Sequence, residues 1–191
     1  MKKFIAIAIS SVMVLSLMGC GVTALESGTT QNANITISDD QIAYNGNAIS
    51  ILDSTETSLS KLGKYDKNRS NLDKGGDYKR YDYGKKFGEV LYDTLTYEGK
   101  ELPLSMIIIS HKIKTSRNVG IGDTEEDIIA AYGEPTKITN ENYRTLEYDM
   151  GDYTISFEIN STIQNEDRDK LESIVYKNDA NYDILLSLPN L

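Results

Sequence analysis

Few residues in this 191-residue chain are of types that do chemistry on their own. It holds one histidine, His111, one cysteine, Cys20, and no tryptophan. No G-x-S-x-G or H-E-x-x-H pattern occurs, and a single imidazole cannot build a histidine-rich metal site. His111 follows the apolar run Met106–Ser110 at what reads as a strand end, where a solvent-facing imidazole is unremarkable; pH sensing is its functional alternative. Asp66, Asn68, Ser70 and Asp77 fall at positions one, three, five and twelve of a calcium loop. Asn71 stands where that loop needs glycine, and Asp77 where it needs a bidentate glutamate, so a solvated loop is expected. Gly75-Gly76 reads as a turn, with no strand and helix around it to make a phosphate loop. Acids are plentiful, 29 Asp and Glu, yet no spacing marks a particular carboxylate pair. No cofactor or metal is implied.

Cys20 carries the most specific signal. Lys2 and Lys3 precede the apolar run Phe4–Leu17, which is short for a membrane span. Leu17-Met18-Gly19-Cys20 then resembles the lipobox of bacterial lipoproteins. The resemblance implies cleavage before Cys20 and acylation of its sulfur, with residues 1–19 as signal peptide. Losing Lys2 and Lys3 takes the formal charge from −9 to −11. The only thiol becomes a thioether, which leaves no disulfide or cysteine metal site. Two acyl chains supply stable anchoring. The expected location is the cell membrane, lipid-anchored on its extracytoplasmic face. Residues 20–40 are small and polar and read as lipidated cysteine plus tether; ~15 flexible residues span roughly 20–25 Å. The acidic balance, pI about 4.7, argues against nucleic acid.

The elements that position the rest begin with Ile121–Thr136. Asp123 stands as N-cap with Glu126 three residues on, and Glu125, Glu126 and Asp127 suit the positive end of a helix. Ile128, Ile129 and Tyr132 make an apolar stripe; Gly133 and Pro135 stop the helix. Ile49–Gly63 echoes Val119–Gly133 without a gap: Asp53 with Asp123, Ser54 with Thr124, Glu56 with Glu126, Gly63 with Gly133. Tyr81-Asp82-Tyr83-Gly84 likewise echoes Tyr148-Asp149-Met150-Gly151. Tyr153–Ile159 alternates as a half-buried antiparallel strand, and the runs at 89–99, 102–113 and 171–177 read as further strands. Residues 41–50 add one leading strand. The expected fold is α+β: two tandem repeats, 41–113 and 114–191, each a short helix on an antiparallel three- to four-stranded sheet, with a C-terminal tail.

This two-copy pattern resembles the β-lactamase-inhibitor-protein-like fold and the related small outer-membrane lipoproteins of the SmpA/OmlA (BamE) type. The resemblance covers about Ile42 to Lys177 and is best over Val119–Pro135. It implies helices packed on antiparallel sheets, and a sheet surface that grips a protein partner.

Tyrosine is the enriched aromatic, 13 against 3 Phe. Its ring buries well and its hydroxyl tolerates water, which suits interfaces. Tyr78, Tyr92, Tyr97 and Tyr153 are the candidate partner contacts, whereas Tyr81, Tyr83 and Tyr148 read as core. The expected function is a non-catalytic protein-interaction module of the cell envelope, bound to the bilayer through Cys20 and to an unidentified envelope protein. The alternative is an envelope hydrolase or ligand-binding lipoprotein with an unmarked carboxylate site.

Overall fold

Asn45 and Gly46 both sit at positive φ, 49° and 79°, the backbone of a two-residue hairpin turn. Residues 41–50 therefore make two strands, β1 (Gln41–Tyr44) and β2 (Asn47–Ser50), rather than the single one expected. The computed structural model describes residues 35–72, 76–85, 88–141, 143–160 and 169–188. Residues 1–34, which include the expected signal peptide, Cys20 and most of the expected tether, lie outside them.

Two eight-residue helices, α1 (Thr55–Leu62) and α2 (Glu125–Tyr132), start one residue later than expected. Ser54 caps α1 by accepting from the Thr57 N–H. Thr124 caps α2, and Asp127 closes the capping box in place of Glu126. The expected caps, Asp53 and Asp123, face backward: their carboxylates accept from the N–H groups of Ser50 and Gly120, three residues upstream. A carboxylate committed to that turn leaves capping to the neighbouring hydroxyl. Gly63 and Gly133 end the helices with N–H bonds to Leu59 O and Ile129 O, 3.0 and 2.8 Å long.

Seven strands form one antiparallel sheet: β3 (Tyr78–Tyr83), β4 (Val90–Tyr97), β5 (Lys100–Ile108), β6 (Lys137–Asn140), β7 (Arg144–Asp149), β8 (Tyr153–Ile159) and β9 (Leu171–Asn178). Their order is β3-β4-β5-β9-β8-β7-β6. β5 and β9 pair from Ser105–Lys177 to Ile108–Ile174. The two halves thus share a continuous sheet in place of two separate ones, with the backbone groups of β5 and β9 satisfied against each other. Two elements went unforeseen: β6, and the terminal helix α3 (Asp179–Ser187), whose N-cap is Asn178.

One face of the sheet carries the core. A row of paired residues runs Tyr81, Tyr92, Met106, Tyr176, Ile155, Tyr148. All six are buried together with Leu62 of α1, Ile128 of α2 and Ile42 and Ile49 of the hairpin. The Tyr132 ring of α2 meets Tyr148 and Phe157 at 5.3 and 5.0 Å, and Tyr44 of the hairpin meets Tyr83 at 6.5 Å. Helices α1 and α2 and the hairpin all cover this face.

Candidate interaction surface

Strand alternation puts the neighbouring residues on the opposite face. There a row of paired residues crosses all seven strands: Asp82, Leu91, Ile107, Val175, Ser156, Glu147, Lys137. Leu91, Ile107 and Val175 are half-buried and give the row an apolar centre with charged ends. In the apolar run Met106–Ser110, Met106 and Ile108 are buried while Ile107 and Ile109 are half-buried.

Charges flanking this row are held in pairs. Arg80 grips Asp93 through Nε–Oδ1 and Nη2–Oδ2 bonds of 2.7 and 2.8 Å, and Ser105 donates to the same carboxylate at 3.0 Å. Asp93 is only 3% exposed. Arg69 grips buried Asp82 the same way, at 3.1 and 3.0 Å. A bidentate guanidinium satisfies both carboxylate oxygens and fixes the pair's geometry. Helix α3 packs against β5, β8 and β9. It is held by Thr154 donating to Asp179, by Asn181 donating to Pro103 O, and by Lys177 Nζ over the Tyr182 ring at 5.0 Å. None of its residues is buried, and Leu186 is 71% exposed.

The four candidate tyrosines separate. Tyr92 and Tyr153 belong to the buried core on the helix-covered face, and burial raises the pKa of both hydroxyls. Tyr78 is half-buried on the opposite face, where its hydroxyl accepts from Arg80 Nη2 at 3.0 Å. Tyr97 is half-buried at the end of β4. Tyr81, Tyr83 and Tyr148 are in the core, as their shared strand face requires. Sequence reasoning missed Arg80, Asp93, Ile107 and Val175. The alternation in Tyr78–Tyr83, with Tyr81 and Tyr83 on one face and Arg80 and Asp82 on the other, held the signal.

Among the described residues, every carboxyl with a resolved shift is moved down. The Arg117 guanidinium holds Asp39 low, and Arg144 does the same for Glu125. Burial pushes Glu101 up, but hydrogen bonds from Lys79, Tyr81 and Thr94 outweigh it and leave its pKa lowered. Two open hollows accompany these groups. One of about 340 Å³ is lined by Ile109, His111, Ile121, Gly122, Lys170, Leu171 and Glu172. The other, about 280 Å³, lies beside Lys114, Arg117, Asp123 and Asp127. His111 is exposed, with Nδ1 3.1 Å from Ile121 O.

In the loop that follows α1, Asp66 turns inward. It accepts from the Asn68 N–H at 2.9 Å and pairs with Arg69 at 2.7 Å, which occupies the oxygens a calcium ion would use. Positions 73–75 of that loop lie outside the described residues. Among the described residues no group of three His, Cys, Asp or Glu is placed to hold a metal, and no helix is long and apolar enough to cross a membrane. Comparison with family models, curated proteins and solved structures finds no match.

Proposed function

We propose that the chain is a membrane-anchored extracytoplasmic lipoprotein that acts as a non-catalytic protein-interaction module of the cell envelope. The observation that carries this reading is the sheet face opposite the one that α1, α2 and the hairpin cover: its apolar row Leu91, Ile107, Val175 is only half-buried, and α3 lies over just part of that face, at Thr154 and Lys177. A rigid sheet loses little entropy on binding, and a partly exposed apolar centre ringed by fixed charges suits a protein partner. With a formal charge of −9, the partner's contacting surface is basic or neutral. Anchoring rests on the Leu17–Cys20 sequence and the resemblance it carries.

The reading includes a tandem repeat, in keeping with the resemblance to the β-lactamase-inhibitor-protein-like fold. Caps Ser54 and Thr124, backward-facing Asp53 and Asp123, and stops Gly63 and Gly133 support it. So does the strand order, in which Tyr81 and Tyr148 stand equally far from the β5–β9 seam. The hydrolase alternative finds less support, since buried Asp82 and Asp93 are each committed to an arginine.

The test pairs two variants. Cys20→Ala is expected to lose uptake of a fatty-acid probe and release the chain from membranes. Ile107→Asp is expected to keep its label, to stay folded at the assay temperature with a lower unfolding midpoint, and to lose the partner. Label retained by Cys20→Ala, or partner binding indifferent to Ile107→Asp, defeats the corresponding half of the proposal.

A further inference from the structure

The two edges of the sheet are finished differently. At the β3 edge the chain seals itself. Asn71 and Arg80 exchange backbone hydrogen bonds of 2.9 and 2.8 Å, the Asp66 N–H donates to Asp82 O at 2.8 Å, and the Asp82 N–H donates to Ser70 Oγ at 3.0 Å. The outward backbone groups of Arg80 and Asp82 are all taken. At the other edge, among the described residues, nothing pairs with the outer side of β6. An open strand edge presents N–H and C=O groups in the spacing of one more strand.

The side chains point the same way. On the core face, the row Tyr83, Val90, Ile108, Ile174, Phe157, Leu146 is buried throughout, none of the six more than 1% exposed. Its next member is Ile138 of β6, paired with Leu146, and Ile138 is 42% exposed. The row breaks off where a further strand would continue it. Charge selects the kind of strand. The two basic residues here are already paired, Lys137 with Glu147 and Arg144 with Glu125. Glu134, Glu141 and Asp149 are exposed and in no ion pair among the described residues. A second copy of the chain would bring the same excess of acid to this edge.

We infer that the outer edge of β6 takes an extended, basic segment of a partner protein as an eighth, antiparallel or parallel strand, with an apolar side chain against Ile138. The inference rests on the interaction-module reading and adds a second contact, since a strand on β6 lengthens the open face at its Lys137 end. Backbone bonds supply the affinity in such strand addition, and alternate side chains supply the specificity.

The experiment uses the full chain in lipid nanodiscs. The probe is a ten-residue peptide alternating valine and threonine, with two lysines at each end. Its control carries N-methyl groups on amides of both edges, so that neither edge can pair with β6. At about 1 mM peptide, amide exchange across Lys137–Asn140 is expected to slow by about tenfold. The slowing is expected to vanish with the N-methylated peptide and with Ile138→Lys, a substitution at an exposed position that leaves thermal unfolding unchanged. Glu134→Lys/Glu141→Lys weakens the effect at low salt. The inference is overturned if β6 exchange is unmoved, if the N-methylated peptide protects equally, or if the chain self-associates through β6 and excludes the peptide. Protection at Leu91, Ile107 and Val175 alone removes the edge site and leaves the interaction-module reading standing. Loss of that reading shows separately, as partner binding that survives Ile107→Asp.

Discussion

Tyr176 sits fully buried at the centre of the sheet, and its hydroxyl has no hydrogen-bond partner among the described residues. A buried hydroxyl left unsatisfied costs about 1–3 kcal/mol, so Tyr176→Phe is expected to hold stability or raise it by about 1 kcal/mol in urea unfolding. A loss would show that the hydroxyl is satisfied. The opposite outcome is expected at Arg80, whose guanidinium neutralises a carboxylate only 3% exposed. Arg80→Ala strands that charge, and because the arginine itself is partly solvated the loss is about 2 kcal/mol, below the full figure for a buried pair. Adding Asp93→Leu to Arg80→Ala recovers part of that loss, as the stranded charge is then gone; a double variant less stable than Arg80→Ala would contradict this.

The paired helices make their own comparison. Gly63 and Gly133 share φ 82°, with ψ of −139° and −164°, a region that side chains resist. A Cβ at either site meets nothing within 4 Å, so the backbone alone sets the cost. Gly63→Ala and Gly133→Ala are each expected to lose about 1–3 kcal/mol, and by similar amounts if the two helices end alike. Thr124→Ala should lose about 1 kcal/mol with its cap. At this scale much was legible in the sequence. Both helices, their glycine stops and the alternation of Tyr153–Ile159 follow from spacing alone. What escaped was set by a competing local turn and by partners distant in sequence. Asp123 is drawn from the cap by the Gly120 N–H three residues before it, and β5 meets β9 through residues such as Ser105 and Lys177, far apart in the chain. The Asn45-Gly46 turn is readable in the sequence, since that dipeptide favours the two-residue hairpin that divides residues 41–50. Helix α3 has no buried stripe to announce it, since polar contacts to Thr154, Pro103 and Lys177 hold it. The candidate surface was half legible: alternation separates Tyr81 and Tyr83 from Arg80 and Asp82, but which set meets the helices is decided only when the sheet closes.

For the molecule as a whole, titration brackets stability on both sides. Asp39, Glu101 and Glu125 have lowered pKa values when folded, so the stability they contribute is present above about pH 4–5 and lost as pH falls through their folded values. Burial raises Tyr44 and Tyr148 to about 12. Above about pH 10 the unfolded chain ionises its tyrosines while the folded one does not, so stability falls from there through pH 12. Thermal unfolding is expected to plateau between about pH 5 and pH 9 and to decline on either side; a maximum at pH 10 or above would contradict this assignment. The same polar, acidic fold leaves one face of its sheet covered only in part, by α3, and the account of function turns on that face. The most direct measurement is photo-crosslinking in the native membrane, from a photoreactive residue at Ile107 and, as control, at exposed Leu52 beyond the sheet. Crosslinking to one discrete envelope protein from position 107, absent from position 52 and reduced by a charged residue at Val175, is the predicted result. Equal labelling from both positions, or none from 107 in a correctly anchored chain, would contradict a partner seated on that face of the sheet.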